Sequence, residues 1–173
     1  MSLEILNQVP EFVDLLLSRL HEFNIPVDGL FMDHVCYRVE TEQEYLDVYV
    51  ALKQLGKILV EEIVGGRPIA TFKLHQPIEI SKHGRKVDVI ELPMPKENSF
   101  YATGWEHAEF VTELPLQDFA KQYPVDWDYS GMKKNFNADI RIDLSNENKR
   151  LNVKFHNMPL EKVIEIEQRN KGL

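Results

Sequence analysis

A chain of 173 residues with 43% hydrophobic and 28% charged residues is ordinary for a soluble globular protein, and long enough to bury a core without disulfides. Its net charge of −8, with no Lys/Arg run longer than Lys133-Lys134, argues against a nucleic-acid surface. The single cysteine, Cys36, excludes an intramolecular disulfide and fits a reducing compartment. Met1-Ser2-Leu3-Glu4-Ile5 lacks the basic region of a signal peptide, and no apolar stretch approaches the roughly 18 residues of a membrane span. A cytoplasmic location and no membrane partner are therefore expected.

In chain order, residues 3–23 carry apolar side chains at helical spacing, with Pro10 expected to break or kink the run into one or two helices. Asn24 to Gly29 is a loop. Residues 33–39 alternate as a strand. Thr41 and Glu44 form a capping box for a helix carrying Tyr45, Val48, Tyr49, Leu52 and Leu55, which Gly56 stops. Residues 57–64 make a strand, Gly65-Gly66 a hairpin turn, and residues 67–75 the returning strand. His75 to Arg85 is polar and turn-rich, and residues 86–92 form a further strand.

The second half repeats this order. Residues 105–111 read as a strand, 115–123 as a short helix, 139–144 and 150–156 as two strands, and a closing helix starts at Asn157-Pro159 and runs to about Gln168. Residues 125–131 are poorly patterned, so one strand of the repeat is missing there. The body thus reads βαβββ followed by βαβ(?)ββ. The expected fold class is α+β, with paired βαβββ modules forming a curled mixed sheet around a cleft and extra N- and C-terminal helices. One domain is expected over 1–173: a helical segment 1–29, modules at 30–98 and 99–157, and a closing helix at 158–173.

His34 and His107 open the first strand of each half, each preceded by an acid, Asp33 or Glu106. Side chains alternate faces along a strand, so His34, Cys36 and Arg38 share one side. His107 and Glu109 share another, and Glu91 leaves one face near the end of 86–92. Two imidazoles and a carboxylate suit a divalent ion: Fe, Mn, Zn or Ni. Glu109 is placed as an extra ligand or a general base. Arg67, after the turn, suits a carboxylate or phosphate. Asp33 and Glu106 point away from the histidine face and are poor second partners for the rings. His75, His83 and His21 read as solvated, and Trp105 as packing.

Asp33-His34, Gly66-Arg67-Pro68-Ile69 with Phe72-Lys73-Leu74-His75, Ile90-Glu91-Leu92-Pro93, Gly104-Trp105-Glu106-His107 and Lys154-Phe155-His156 together carry a closer likeness. The duplicated βαβββ order resembles the vicinal-oxygen-chelate superfamily of glyoxalases, bleomycin-resistance proteins and extradiol dioxygenases. Within it, these stretches resemble the YecM family of bacterial proteins. The resemblance implies metal ligands from the first and fourth strands of each module: His34, Glu91 and His107. At the eighth strand, where the superfamily usually has Glu, this chain has Lys154 or His156, depending on alignment; His156 would be a fourth ligand.

The reading is a divalent-metal protein, a metal-dependent isomerase or dioxygenase-type oxidoreductase acting on a small oxygenated anion. Arg67 and Lys73 would orient the anion and Glu109 would move the proton. The alternative is a non-catalytic module that sequesters a small molecule in the same cleft. The expected partner is a small-molecule ligand or substrate, with no nucleic acid, and the chain is expected as a monomer or homodimer.

Overall fold

The computed structural model describes residues 2–172; Met1 and Leu173, and the side chains of Ser2 and Leu3, lie outside it. The place of Leu3 on the first helix face, and the last residue of the closing segment, therefore fall outside the described residues. Helices α1 (Ser2–Asn7), α2 (Val9–Glu22), α3 (Glu42–Leu55), α4 (Leu116–Lys121) and α5 (Leu160–Lys171) accompany seven strands. These are β1 (Phe31–Arg38), β2 (Gly56–Val64), β3 (Arg67–Ile80), β4 (Arg85–Pro93), β5 (Gly104–Val111), β6 (Asp139–Asp143) and β7 (Asn152–His156). The protein is mixed α+β, with parallel and antiparallel strand pairs. No helix among the described residues is long and apolar enough to cross a membrane.

The N-terminal run splits into two helices at Gln8, and Pro10 sits in the first turn of α2, where its missing N–H costs no helical hydrogen bond. Phe12, Val13, Leu16 and Leu20 of α2 are buried at i, i+3 and i+4 spacing. By its internal contacts the chain divides into two compact units: Met1–Phe12 with His34–Glu106, and Val13–Asp33 with His107–Leu173.

In the first unit the strand order is β2-β3-β4-β1, with β1 parallel to β4 and the other pairs antiparallel. The capping box at Thr41 is present: its Oγ1 accepts from the Glu44 amide at 3.2 Å, and Glu44 Oε2 accepts from the Thr41 amide at 2.9 Å. Tyr45, Val48 and Leu52 of α3 are buried, and the Tyr49 ring lies 5.4 Å from that of Phe72 on β3. Gly56 ends α3 in an extended conformation, and a Cβ there would come within 2.3 Å of the Lys73 carbonyl oxygen. Close strand approach is what requires glycine at this position. Gly65 and Gly66, at φ 59 and 84, make the hairpin turn, which needs positive φ at both central residues.

β3 runs to Ile80, beyond the expected end at residue 75. Its register on β4 shifts between Lys73 and Ile78, and Pro77, which has no N–H for the ladder, falls inside that irregularity. The pairing then resumes as Ile78↔Val87 and Ile80↔Arg85, with Ile80 buried.

In the second unit the order is β5-β7-β6, with β5 parallel to β7 and β6 antiparallel to it. The strand missing from the sequence pattern near 125–131 is reduced to one antiparallel bridge, Asp128↔Arg141, beside β6. The apolar side collects aromatic rings: Phe155 lies 4.7 Å from Phe119, 5.7 Å from Trp127 and 5.9 Å from Phe110. α5 begins at Leu160, whose amide donates to Asp33 Oδ2 at 3.0 Å. Asp33 thus satisfies a helix N-terminal donor that has no intrahelical acceptor.

Candidate functional site

The register of the first unit sorts its side chains by face. Cys36 lies opposite Glu91, and Glu91 in turn opposite Thr71. Alternation then puts His34, Cys36 and Arg38 of β1, Val89 and Glu91 of β4, and Arg67, Thr71 and Lys73 of β3 on one side. The other side carries Val35, Tyr37, Ala70, Phe72, Ile90 and Leu92, all buried. A face kept for stability alone would be apolar on both sides once covered; here one side concentrates imidazole, carboxylate and guanidinium groups. His34 is buried, with Nε2 3.9 Å from Glu91 Oε2, an electrostatic contact too long for a hydrogen bond.

The second unit repeats the arrangement. His107 pairs with Asn152, Glu109 with Lys154, and Val111 with His156 across β5 and β7. His107 Nε2 lies 3.6 Å from Glu109 Oε1. Lys154 Nζ donates to that same oxygen at 2.5 Å, with the side chains 23% and 11% exposed, so the pair is only lightly screened by water. His156 Nδ1 lies 2.6 Å from the Met158 carbonyl oxygen, which can only accept, so Nδ1 carries the proton. Its Nε2 then faces Glu109 Oε2 at 3.4 Å and Asp33 Oδ2 at 3.5 Å. An imidazole fixed in that tautomer presents Nε2 either as a lone pair or, once protonated, as a second N–H between two carboxylates.

These registers decide which residue holds the eighth-strand position. Two residues beyond His34 is Cys36, opposite Glu91; two residues beyond His107 is Glu109, opposite Lys154. Lys154 is therefore the positional counterpart of Glu91, and His156 sits two residues further along β7. A protonated lysine is no metal ligand, and this one is spent on Glu109.

Other predicted residues are placed apart from these groups or in different company. Lys73 Nζ donates to Asp88 at 3.0 Å. Arg67 instead stands by Tyr101, with Cζ 5.4 Å from its ring centre. His75 and His21 are exposed, as expected of solvated histidines, and His83 is half-buried. Trp105 is structural: its ring lies 5.0 Å from Tyr37 and 6.1 Å from Phe12, and Nε1 donates to the Ile5 carbonyl at 3.1 Å. Glu106 accepts from Arg38 Nε at 3.1 Å.

Sequence reasoning missed three groups. Strand alternation turns Asp33 away from His34, yet it faces His156 and caps α5. Tyr101 lies in an unpatterned loop, and nothing in its neighbourhood distinguishes it. Asp139 is buried and pairs with Lys134; its only signal was its place at the start of a strand.

In each unit an imidazole with an adjacent carboxylate forms a nitrogen–oxygen donor pair of the kind a borderline divalent ion takes. By donor chemistry the residues present fit such an ion. His34 and Glu91 in the first unit, and His107 and Glu109 in the second, each offer ligand atoms within 4.8 Å of one another.

Comparison with known proteins gives a family. Residues 2–167 match the family model described as YecM protein. An uncharacterized protein of Haemophilus influenzae is 37% identical over 90 residues, covering 52% of this chain and 46% of that protein. Protein YecM of Escherichia coli is 30% identical over 111 residues, covering 62% of this chain and 56% of that one. The chain thus spans about half the length of the curated relatives it matches. The solved structure of Protein EC4020 superposes with a TM-score of 0.76 at 23% identity, covering 95% of this chain and 91% of that chain, and shares its fold.

Proposed function

The chain belongs to the YecM protein family, and from that premise we propose that it is a divalent-metal protein of the vicinal-oxygen-chelate kind. His34, Glu91 and His107 would hold the ion, and His156, two residues past the position matching Glu91, is left to its contacts with Asp33 and Glu109. One observation carries this reading: each unit sets a buried histidine, on the corresponding strand, with Nε2 within 4.0 Å of a carboxylate of its own unit (3.9 Å to Glu91 and 3.6 Å to Glu109). A bound divalent ion supplies Lewis acidity, polarising two neighbouring substrate oxygens or activating water.

The chain's own residues supply the rest. Glu109, hydrogen-bonded by Lys154 and beside two imidazoles, holds or moves the proton. Arg67 and Lys73 orient a small oxygenated anion, and the reaction is an isomerisation or a dioxygenase-type oxidation. The proposed setting is the cytoplasm, with the protein a monomer or homodimer whose partner is a small molecule.

A second reading has its own support. Lys154 fills the position that corresponds to Glu91 and neutralises Glu109, which suits a non-catalytic module that binds an anion without turnover. Elemental mass spectrometry on protein purified without an affinity tag separates the two. The metal reading expects near-stoichiometric Fe, Mn, Zn or Ni in the wild type and its loss in both His34→Ala and His107→Ala. No metal after anaerobic loading, or unchanged metal in either variant, transfers the assignment to the binding module.

A further inference from the structure

Three residues far apart in the chain meet inside the first unit. Arg38 at the end of β1 has Cζ 4.9 Å from the ring centre of Tyr101, and Arg67 at the start of β3 has Cζ 5.4 Å from the same ring. Two guanidiniums sharing one aromatic ring is a costly arrangement, because like charges repel and Arg38 is largely withdrawn from water. One carboxylate offsets it: Glu106 accepts from Arg38 Nε at 3.1 Å. Arg67 makes no ion pair with any described residue and rests against the Tyr101 ring.

The donors are not exhausted by these contacts. Arg38 Nη1 and Arg67 Nη1 are both buried and have no hydrogen-bond acceptor among the described residues. Buried donors of this kind ordinarily find a partner, and two from separate strands converging on one ring imply a shared acceptor. The planar guanidinium fork matches carboxylate and phosphate oxygens.

We propose that Arg38 and Arg67, both held against the Tyr101 ring, form a receptor for the oxyanion group of the ligand, a carboxylate or a phosphate. The proposal deepens the reading of a small oxygenated anion given above and rests on that part of it, not on the metal. It makes Arg38, rather than Lys73, the second cation: Lys73 is already paired with Asp88. The phenol reports the same positive field. Burial pushes Tyr101 up, but the neighbouring Arg67 and the charge of Arg38 outweigh it and hold Tyr101 below the usual tyrosine range.

Calorimetric titration of the full chain with inorganic phosphate, and separately with acetate, tests the receptor. Metal is first removed with phenanthroline, since a carboxylate chelator would itself compete for the site. One probe is expected to bind, and its identity names the oxyanion class. Affinity should fall by about tenfold or more in Arg67→Gln, and also in Arg67→Lys, which keeps the charge but loses the fork. Because the titration is run on metal-free protein, loss of metal and loss of the receptor are read separately, and Lys121→Gln, an exposed lysine away from these residues, should keep the wild-type anion affinity. A phenolate absorbance titration gives a second readout: the lowest tyrosine step should move up in Arg67→Gln and on saturation with the bound probe. No binding of either probe at millimolar concentration overturns the proposal. So does unchanged affinity in an Arg67→Gln protein with a wild-type circular dichroism spectrum.

Discussion

In the first unit the β4 position opposite Cys36 holds Glu91, whereas in the second the matching β7 position, opposite Glu109, holds Lys154. The two units share a strand scheme, a first strand parallel to the last with an antiparallel neighbour beyond it, and each presents a histidine with a carboxylate nearby. They differ in what stands at the same register point. In the first unit the carboxylate comes from the last strand. In the second it comes from the first strand, two residues past the histidine, and a lysine holds it. A duplicated scaffold therefore does not carry a duplicated site: equivalent backbone positions hold opposite charges, and the chemistry follows the side chains.

The apolar sides differ as well, and the largest expected effect lies there. Phe155 in the second unit and Leu92 in the first occupy matching positions, both fully buried, but Phe155 sits in a cluster with Phe110, Phe119 and Trp127. Phe155→Ala should cost about 3–5 kcal/mol in urea unfolding, and more than Leu92→Ala. Equal losses would mean that the ring cluster adds nothing beyond burial.

Lys154→Glu tests the difference in charge directly. It replaces a half-buried ion pair with two facing carboxylates and restores the first unit's residue type. Stability without metal should drop by about 1–3 kcal/mol, less than for a fully buried pair because Lys154 retains 23% exposure. Added divalent metal should then raise the melting temperature more in the variant than in the wild type. A variant as stable as the wild type without metal would remove Lys154 from the role given to it.

The helices that follow the first strands give the smallest contrast. α3 spans 14 residues and starts in a capping box, while α4 spans 6 and has no side-chain cap at Pro115. Thr41→Ala should lower stability by about 1 kcal/mol, measured by chemical unfolding, and Pro115→Ala should lower it less.

Much of this was legible in the chain because it depends on neighbours in sequence. The capping box at Thr41, the Gly65-Gly66 turn and the helix break near Pro10 all arise within a few residues. So do the alternation that places His34 with Arg38 and His107 with Glu109, and the gap near 125–131. Where local patterning misled, distant pairing was the cause: β3 runs past His75 because Ile78 and Ile80 find partners on β4 after an irregularity. Asp33, turned from His34 by alternation, reaches a helix amide 127 positions away.

By itself the sequence determined the order of elements, the paired histidine strands and the polarity of their faces, since a period of two or 3.6 is set by backbone geometry alone. Only the tertiary structure decided that Lys154 rather than His156 corresponds to Glu91, and that His156 lies between Asp33 and Glu109. It alone brought Arg38, Arg67 and Tyr101 around one another. Strand register and long-range side-chain contact depend on how one segment slides against another, and no spacing within either segment encodes that choice.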